Sequence, residues 1–190
     1  MRVCRAAVVA ALALAVAIGG AVLGPSTGDG TPGMVVGDTV AADLTALAGD
    51  IYATFVAAAP GLGDCVRGPR LEAAGELADL AVYDQATHTM WLRVPATAAS
   101  LATSMVHELA HHLELSCPSH VALRSRFLAA QQTDLGAAWF GGDVWATIPS
   151  EQFAEAVVAA VLGERRRQKL RVRLNAEAVA VVAGWLAAGE

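Results

Sequence analysis

The stretch from Ser100 to Leu115 constrains this chain more than any other, because it sets chemistry-bearing side chains into a segment that reads as buried helix. Leu101, Met105, Val106, Leu109, Ala110 and Leu113 recur at helical spacing, so the helix has an apolar body. Within it stands His107-Glu108-Leu109-Ala110-His111, the pattern H-E-x-x-H. Burying two imidazoles and a carboxylate without partners costs on the order of several kcal/mol. A shared metal ion removes that cost. Positions i and i+4 lie on one helix face, so both imidazoles reach a single ion, while Glu108 projects beside them as the general base for a metal-bound water.

A catalytic zinc takes three protein ligands and keeps one position open. In the longer pattern H-E-x-x-H-x-x-G-x-x-H the glycine would fall at Glu114 and the third histidine at Cys117, so that arrangement is absent. His120, following Pro118, and Asp134 and Asp143, in loop-like sequence, are rivals for the third place. Glu151 is the favoured candidate. The segment Pro149-Ser150-Glu151-Gln152-Phe153-Ala154-Glu155 reads as a helix start with Ser150 as its N-cap, which sets Glu151 and Glu155 one turn apart on one face. Glu151 then ligates the metal, and Glu155 accepts the second ring N–H of a ligating histidine and holds its orientation. Candidates for a donor to the oxyanion are His112, His120 and Tyr83.

His107-Glu108-x-x-His111 followed by Glu151-x-x-x-Glu155 resembles the gluzincin group of zinc metallopeptidases. The resemblance spans the helix about His111, the helix about Glu151 and the hairpin before them. It implies a zincin-like fold, Zn2+ as cofactor, and a peptide or protein substrate whose backbone adds to the strand preceding the active-site helix. That strand would be Met90 to Val94, with Trp91, Leu92 and Arg93 at the cleft edge. Two departures matter. The acidic residue after the ligand is often Asp in that group, whereas Glu155 has a longer reach, and no Gly-x-Met-x-Asn strand supports an exopeptidase. The expected activity is therefore endopeptidase. The alternative is a non-catalytic binding module that keeps the metal on a zincin scaffold, although an intact Glu108 is of no use to a structural zinc. A third reading takes the motif as coincidence in an Ala-rich helical protein.

Around this site the periodicities give an α+β chain. Val40, Leu44, Leu47, Ile51 and Phe55 mark a first helix, started by Asp38 and Thr39 and stopped at Pro60-Gly61. Leu80–Tyr83 and Met90–Val94, separated by the turn sequence Asp84-Gln85-Ala86-Thr87, form a hairpin in a small antiparallel sheet, to which Val66–Ala74 adds a strand. Helices follow at Ser100–Leu115, Val121–Gln131, Ser150–Gly163 and Ala176–Ala188. Trp139, Phe140 and Trp145, flanking Gly141-Gly142, read as core cover, with shaping of substrate pockets as a second role. The cationic run from Arg165 to Arg173 reads as a solvated helix end.

Composition narrows the partners and the compartment. The chain has 190 residues, 55% of them hydrophobic and 16% charged, with a formal net charge of −5, which argues against a disordered tail or a nucleic-acid partner. Part of the apolar excess belongs to the run from Ala6 to Leu23, which follows Arg2 and Arg5 and ends at Gly24-Pro25. Residues 1–24 therefore read as an export signal or as an uncleaved membrane anchor, the only membrane contact expected. Residues 25–37 form a flexible linker, and 38–190 a single domain outside the cytoplasm. Loss of Cys4 with the signal leaves Cys65 and Cys117, an even count that predicts one disulfide in an oxidising compartment.

Overall fold

The computed structural model describes residues 33–163 and 172–189. The N-terminal apolar segment and the cationic residues 165–171 lie outside the described residues. Strand β1 (Val35–Val36) opens the fold and leads into helix α1 (Ala42–Ala58), which buries Ala48, Ile51, Tyr52 and Phe55. A 3-10 turn at Pro60–Val66 ends that helix, and β2 (Arg70–Ala74) comes back parallel to β1. The linker thus ends earlier than expected, since Val35 and Val36 already belong to the sheet. Thr39 does not cap α1, whose N-cap is Ala41. Its hydroxyl instead donates to the Glu72 carboxylate and accepts the Ala73 N–H at 2.9 Å, tying the entry of α1 to β2.

Strands β3 (Ala81–Asp84) and β4 (Thr89–Arg93) make the expected hairpin. Asp84 closes its turn by accepting from the Ala86 N–H at 2.9 Å and the Thr87 hydroxyl at 2.6 Å. The four-stranded sheet has the order β1-β2-β4-β3. It is mixed rather than antiparallel, because α1 carries the chain back before β2 begins and β4 then inserts beside β2 in parallel. That insertion leaves β3 as an outer strand.

Helix α2 (Ala98–Ser116) starts at Thr97, whose side chain accepts the Ser100 N–H at 3.2 Å. It is buried over most of its circumference, including Met105, Leu109 and Leu113 at 0% exposure, as befits a helix at the centre of a fold. After α3 (Ser119–Gln131) and a long loop comes α4 (Pro149–Leu162), the main packing partner of α2, and then α5 (Ala176–Ala188). The chain is α+β. No helix among the described residues is long and apolar enough to cross a membrane.

Candidate metal centre

Helices α2 and α4 bring three donor atoms to one point. His107 and His111 sit one turn apart on α2, and Glu151 projects from the first turn of α4. His107 Nε2 lies 3.2 Å from His111 Nε2 and 3.0 Å from Glu151 Oε2, and the remaining side, His111 Nε2 to Glu151 Oε2, is 3.5 Å. Ligands about 2.0–2.1 Å from a small divalent cation stand about 3.3 Å apart, so the triangle is of a size that such an ion fits. The donor chemistry, two imidazole nitrogens and one carboxylate oxygen, fits the same ion. Among the described residues, this is the group of His, Cys, Asp and Glu side chains able to hold a metal.

The remaining nitrogens of both imidazoles meet carboxylates. Glu155 Oε1 is 3.2 Å from His107 Nδ1, the place foreseen for it on α4. Glu114, one turn beyond His111 on α2, has Oε1 2.6 Å from His111 Nδ1, and its Oε2 accepts the Trp139 indole N–H at 2.7 Å. Trp139 also accepts the Ser150 N–H at 3.1 Å on its carbonyl. Ser150 is thus not the N-cap of α4. Ile148 holds that position, and the Ser150 amide fastens the helix start to the loop. Trp145 stacks on the His107 ring at 5.9 Å with planes 21° apart. The roles of Glu114, Trp139 and Trp145 escaped the sequence reading. For Glu114 the signal was present, since a carboxylate three positions after a histidine lies on the same helix face.

Four carboxylates around two imidazoles create a demand for positive charge. Burial lowers the tendency of His107 to hold a proton, yet Glu151 and Glu155 outweigh it and push its pKa up to about 9. For His111 the same contest, burial against Glu114 and Glu151, ends at about 10. Burial would raise the Glu151 carboxyl, but the two histidines pull it down to about 2. A divalent cation at the triangle meets the same demand with both imidazoles neutral. Glu108 is 8% exposed, and burial pushes its pKa up, against the pull of the histidines and of the Tyr83 backbone.

The other expected residues are elsewhere. His120 is fully buried against the Trp139, Phe153 and Trp185 rings, and Asp134 and Asp143 are exposed in the loop before α4, so none of the three joins the triangle. His112 points away from His111, its Nε2 donating to the Arg67 carbonyl at 2.7 Å. Its Nδ1 is thereby left as an acceptor 3.0 Å from the Tyr83 hydroxyl, which stands equally 3.0 Å from His88 Nδ1. Trp91, Leu92 and Arg93 do not form a cleft edge. They lie on β4, paired with β2 on one side and β3 on the other, so its backbone has no open side for a substrate strand. The outer strand near the site is β3, whose Tyr83 lines a cleft of about 310 Å³ beside His111 and Glu151. Cys65 and Cys117 are neighbours but free thiols. The expected disulfide is not formed, and burial, with Cys65 alongside, raises the pKa of Cys117.

No known family, curated protein or solved structure matches this chain. Its function must be argued from the site.

Proposed function

We propose that this chain is an exported zinc-dependent endopeptidase with a gluzincin-type site on a zincin-like scaffold. The observation that carries the reading is the convergence of His107, His111 and Glu151 donor atoms within 4.8 Å of one another, with Glu108 adjacent on α2. The chemistry that zinc supplies when bound is Lewis acidity, toward the scissile carbonyl and toward the attacking water. Glu108 takes a proton from that water and returns one to the leaving amine. Glu155 and Glu114 fix the ring orientations of His107 and His111 and keep their Nε2 atoms turned to Glu151. Among the described residues β3 is an outer strand, and its edge beside the cleft that Tyr83 lines is the place for an extended substrate backbone, with the Tyr83 N–H already turned to Glu108.

Glu108→Gln tests the reading, since it removes the base and leaves every metal-binding atom in place. With the full chain and a quenched peptide library, we expect zinc content to be kept and hydrolysis to fall by about a hundredfold or more. Hydrolysis at the parent rate in Glu108→Gln rules out this mechanism. Bound zinc with no hydrolysis by the parent chain favours the binding-module alternative.

A further inference from the structure

The β3–β4 hairpin closes on a histidine in an unusual backbone state. His88, the last residue before β4, has φ 50°, in the left-handed region that glycine enters freely and other residues enter under strain. Hairpin turns commonly place glycine there. Burial does not hold the imidazole, which is exposed. Its hydrogen bond does. His88 Nδ1 lies 3.0 Å from the Tyr83 hydroxyl, and His112 Nδ1 lies 3.0 Å from the same oxygen. The phenol brings one proton to two nitrogens. His112 adds none, because its Nε2 N–H is spent on the Arg67 carbonyl and burial lowers its pKa, which keeps the ring neutral. His88 adds the second. With hydrogen on its Nδ1 it donates to the Tyr83 oxygen, the tyrosine donates to His112, and each group is satisfied.

Tyr83 stands where such a hold matters. It lines the cleft beside His111 and Glu151, and its backbone N–H turns to Glu108. Its hydroxyl meets His88 and His112, which line a separate cavity of about 370 Å³ with Cys65 and Ser116. The side chain therefore reaches from one to the other. His112 supports it from the core, buried and edge to face with the tyrosine at a centroid distance of 5.5 Å. His88 supports it from the solvent side. We propose that His88 is a positioning residue for the peptidase reaction: through the Tyr83 hydroxyl it fixes the tyrosine ring in the wall of the cleft, so that substrate binds against a side chain that does not swing into the second cavity. The inference rests on the peptidase reading for its substrate and on the hairpin alone for the hold on Tyr83.

Steady-state kinetics on a quenched peptide, with the full zinc-loaded chain, test it. Glycine adopts the backbone of position 88 without strain, so His88→Gly should unfold at a urea concentration no lower than the parent's, the relief offsetting one exposed hydrogen bond. It should nevertheless raise KM about fivefold with kcat little changed. Tyr83→Phe, which keeps the ring and loses the hydroxyl, should raise KM as much. The double variant should go no further, because His88 acts through that hydroxyl. An unchanged KM in His88→Gly, additive effects in the double variant, or a KM rise that comes with a lowered urea midpoint overturns the proposal. If nothing is cleaved, the peptidase reading fails and the hold on Tyr83 is decided in the metal-free full chain. Tyr52 and Tyr83 are its two tyrosines, so fluorotyrosine labelling gives two fluorine NMR signals, of which Tyr83→Phe removes one. His88→Gly should move that signal and leave the Tyr52 signal in place. An unmoved Tyr83 signal overturns the proposal.

Discussion

Glu114 and Trp139 carry the residue-scale case. A buried carboxylate whose partners are a histidine and an indole is costly to keep, and its geometry points at the ring nitrogen that must be oriented for His111 to bind through Nε2. Glu114→Gln should weaken zinc binding about 10- to 100-fold while removing no ligand, and Trp139→Phe should weaken it less. Competition against a chromogenic chelator measures both. In the double variant the effects should not add, because Trp139 acts through Glu114. His107, Glu108 and His111 were legible from spacing alone, and Glu151 from its helix-start context. Trp139 was not, since its partner is 25 positions away in sequence.

His120 makes a second prediction at this scale. It is 0% exposed, and its ring nitrogens make no hydrogen bond of full geometry among the described residues, the Glu114 backbone beside them offering only a weak contact. Burial, and then the nearby Arg124 charge, push its pKa from 6.5 down to about 3. The unfolded chain takes up this proton near the ordinary value and the folded chain does not, so stability present above about pH 6.5 is lost as the pH falls toward about 3. Urea denaturation of the parent chain and of His120→Phe should show the parent losing about 2 kcal/mol more between about pH 7.5 and about pH 5. Parallel losses would contradict it.

At the scale of elements, the site is a property of how α2 meets α4. Phe153 stands between Glu151 and Glu155 in sequence and is wholly buried, packed against the rings of Phe127, Trp139 and Trp185. Phe153→Ala should cost about 3–5 kcal/mol in denaturant unfolding, and a loss below about 1 kcal/mol would mean that α4 is not anchored through this ring. Helices were readable because their apolar period is local, and the hairpin because Asp84 announces its turn. The sheet order was not readable. Whether β4 pairs with β2 depends on where α1 returns the chain, which no local pattern records. The misassigned caps have different causes: the Thr39 hydroxyl is spent on a tertiary bond to Glu72, whereas Ser150 already lies inside the first turn of α4, where its backbone amide bonds the Trp139 carbonyl.

For the whole molecule, the site joins elements far apart in the chain, so metal binding is linked to folding. Free zinc at about 100 times its Kd should stabilise the full chain by about 2.7 kcal/mol, and a chelator should remove that increment, both read from unfolding curves. Dialysis of the purified full chain followed by elemental mass spectrometry tests the central claim most directly. The account predicts one zinc per chain, lost in His107→Ala, His111→Ala and Glu151→Ala and kept in Asp143→Ala. A parent chain without stoichiometric metal, or a Glu151→Ala chain that keeps its zinc while Asp143→Ala loses it, would contradict the account.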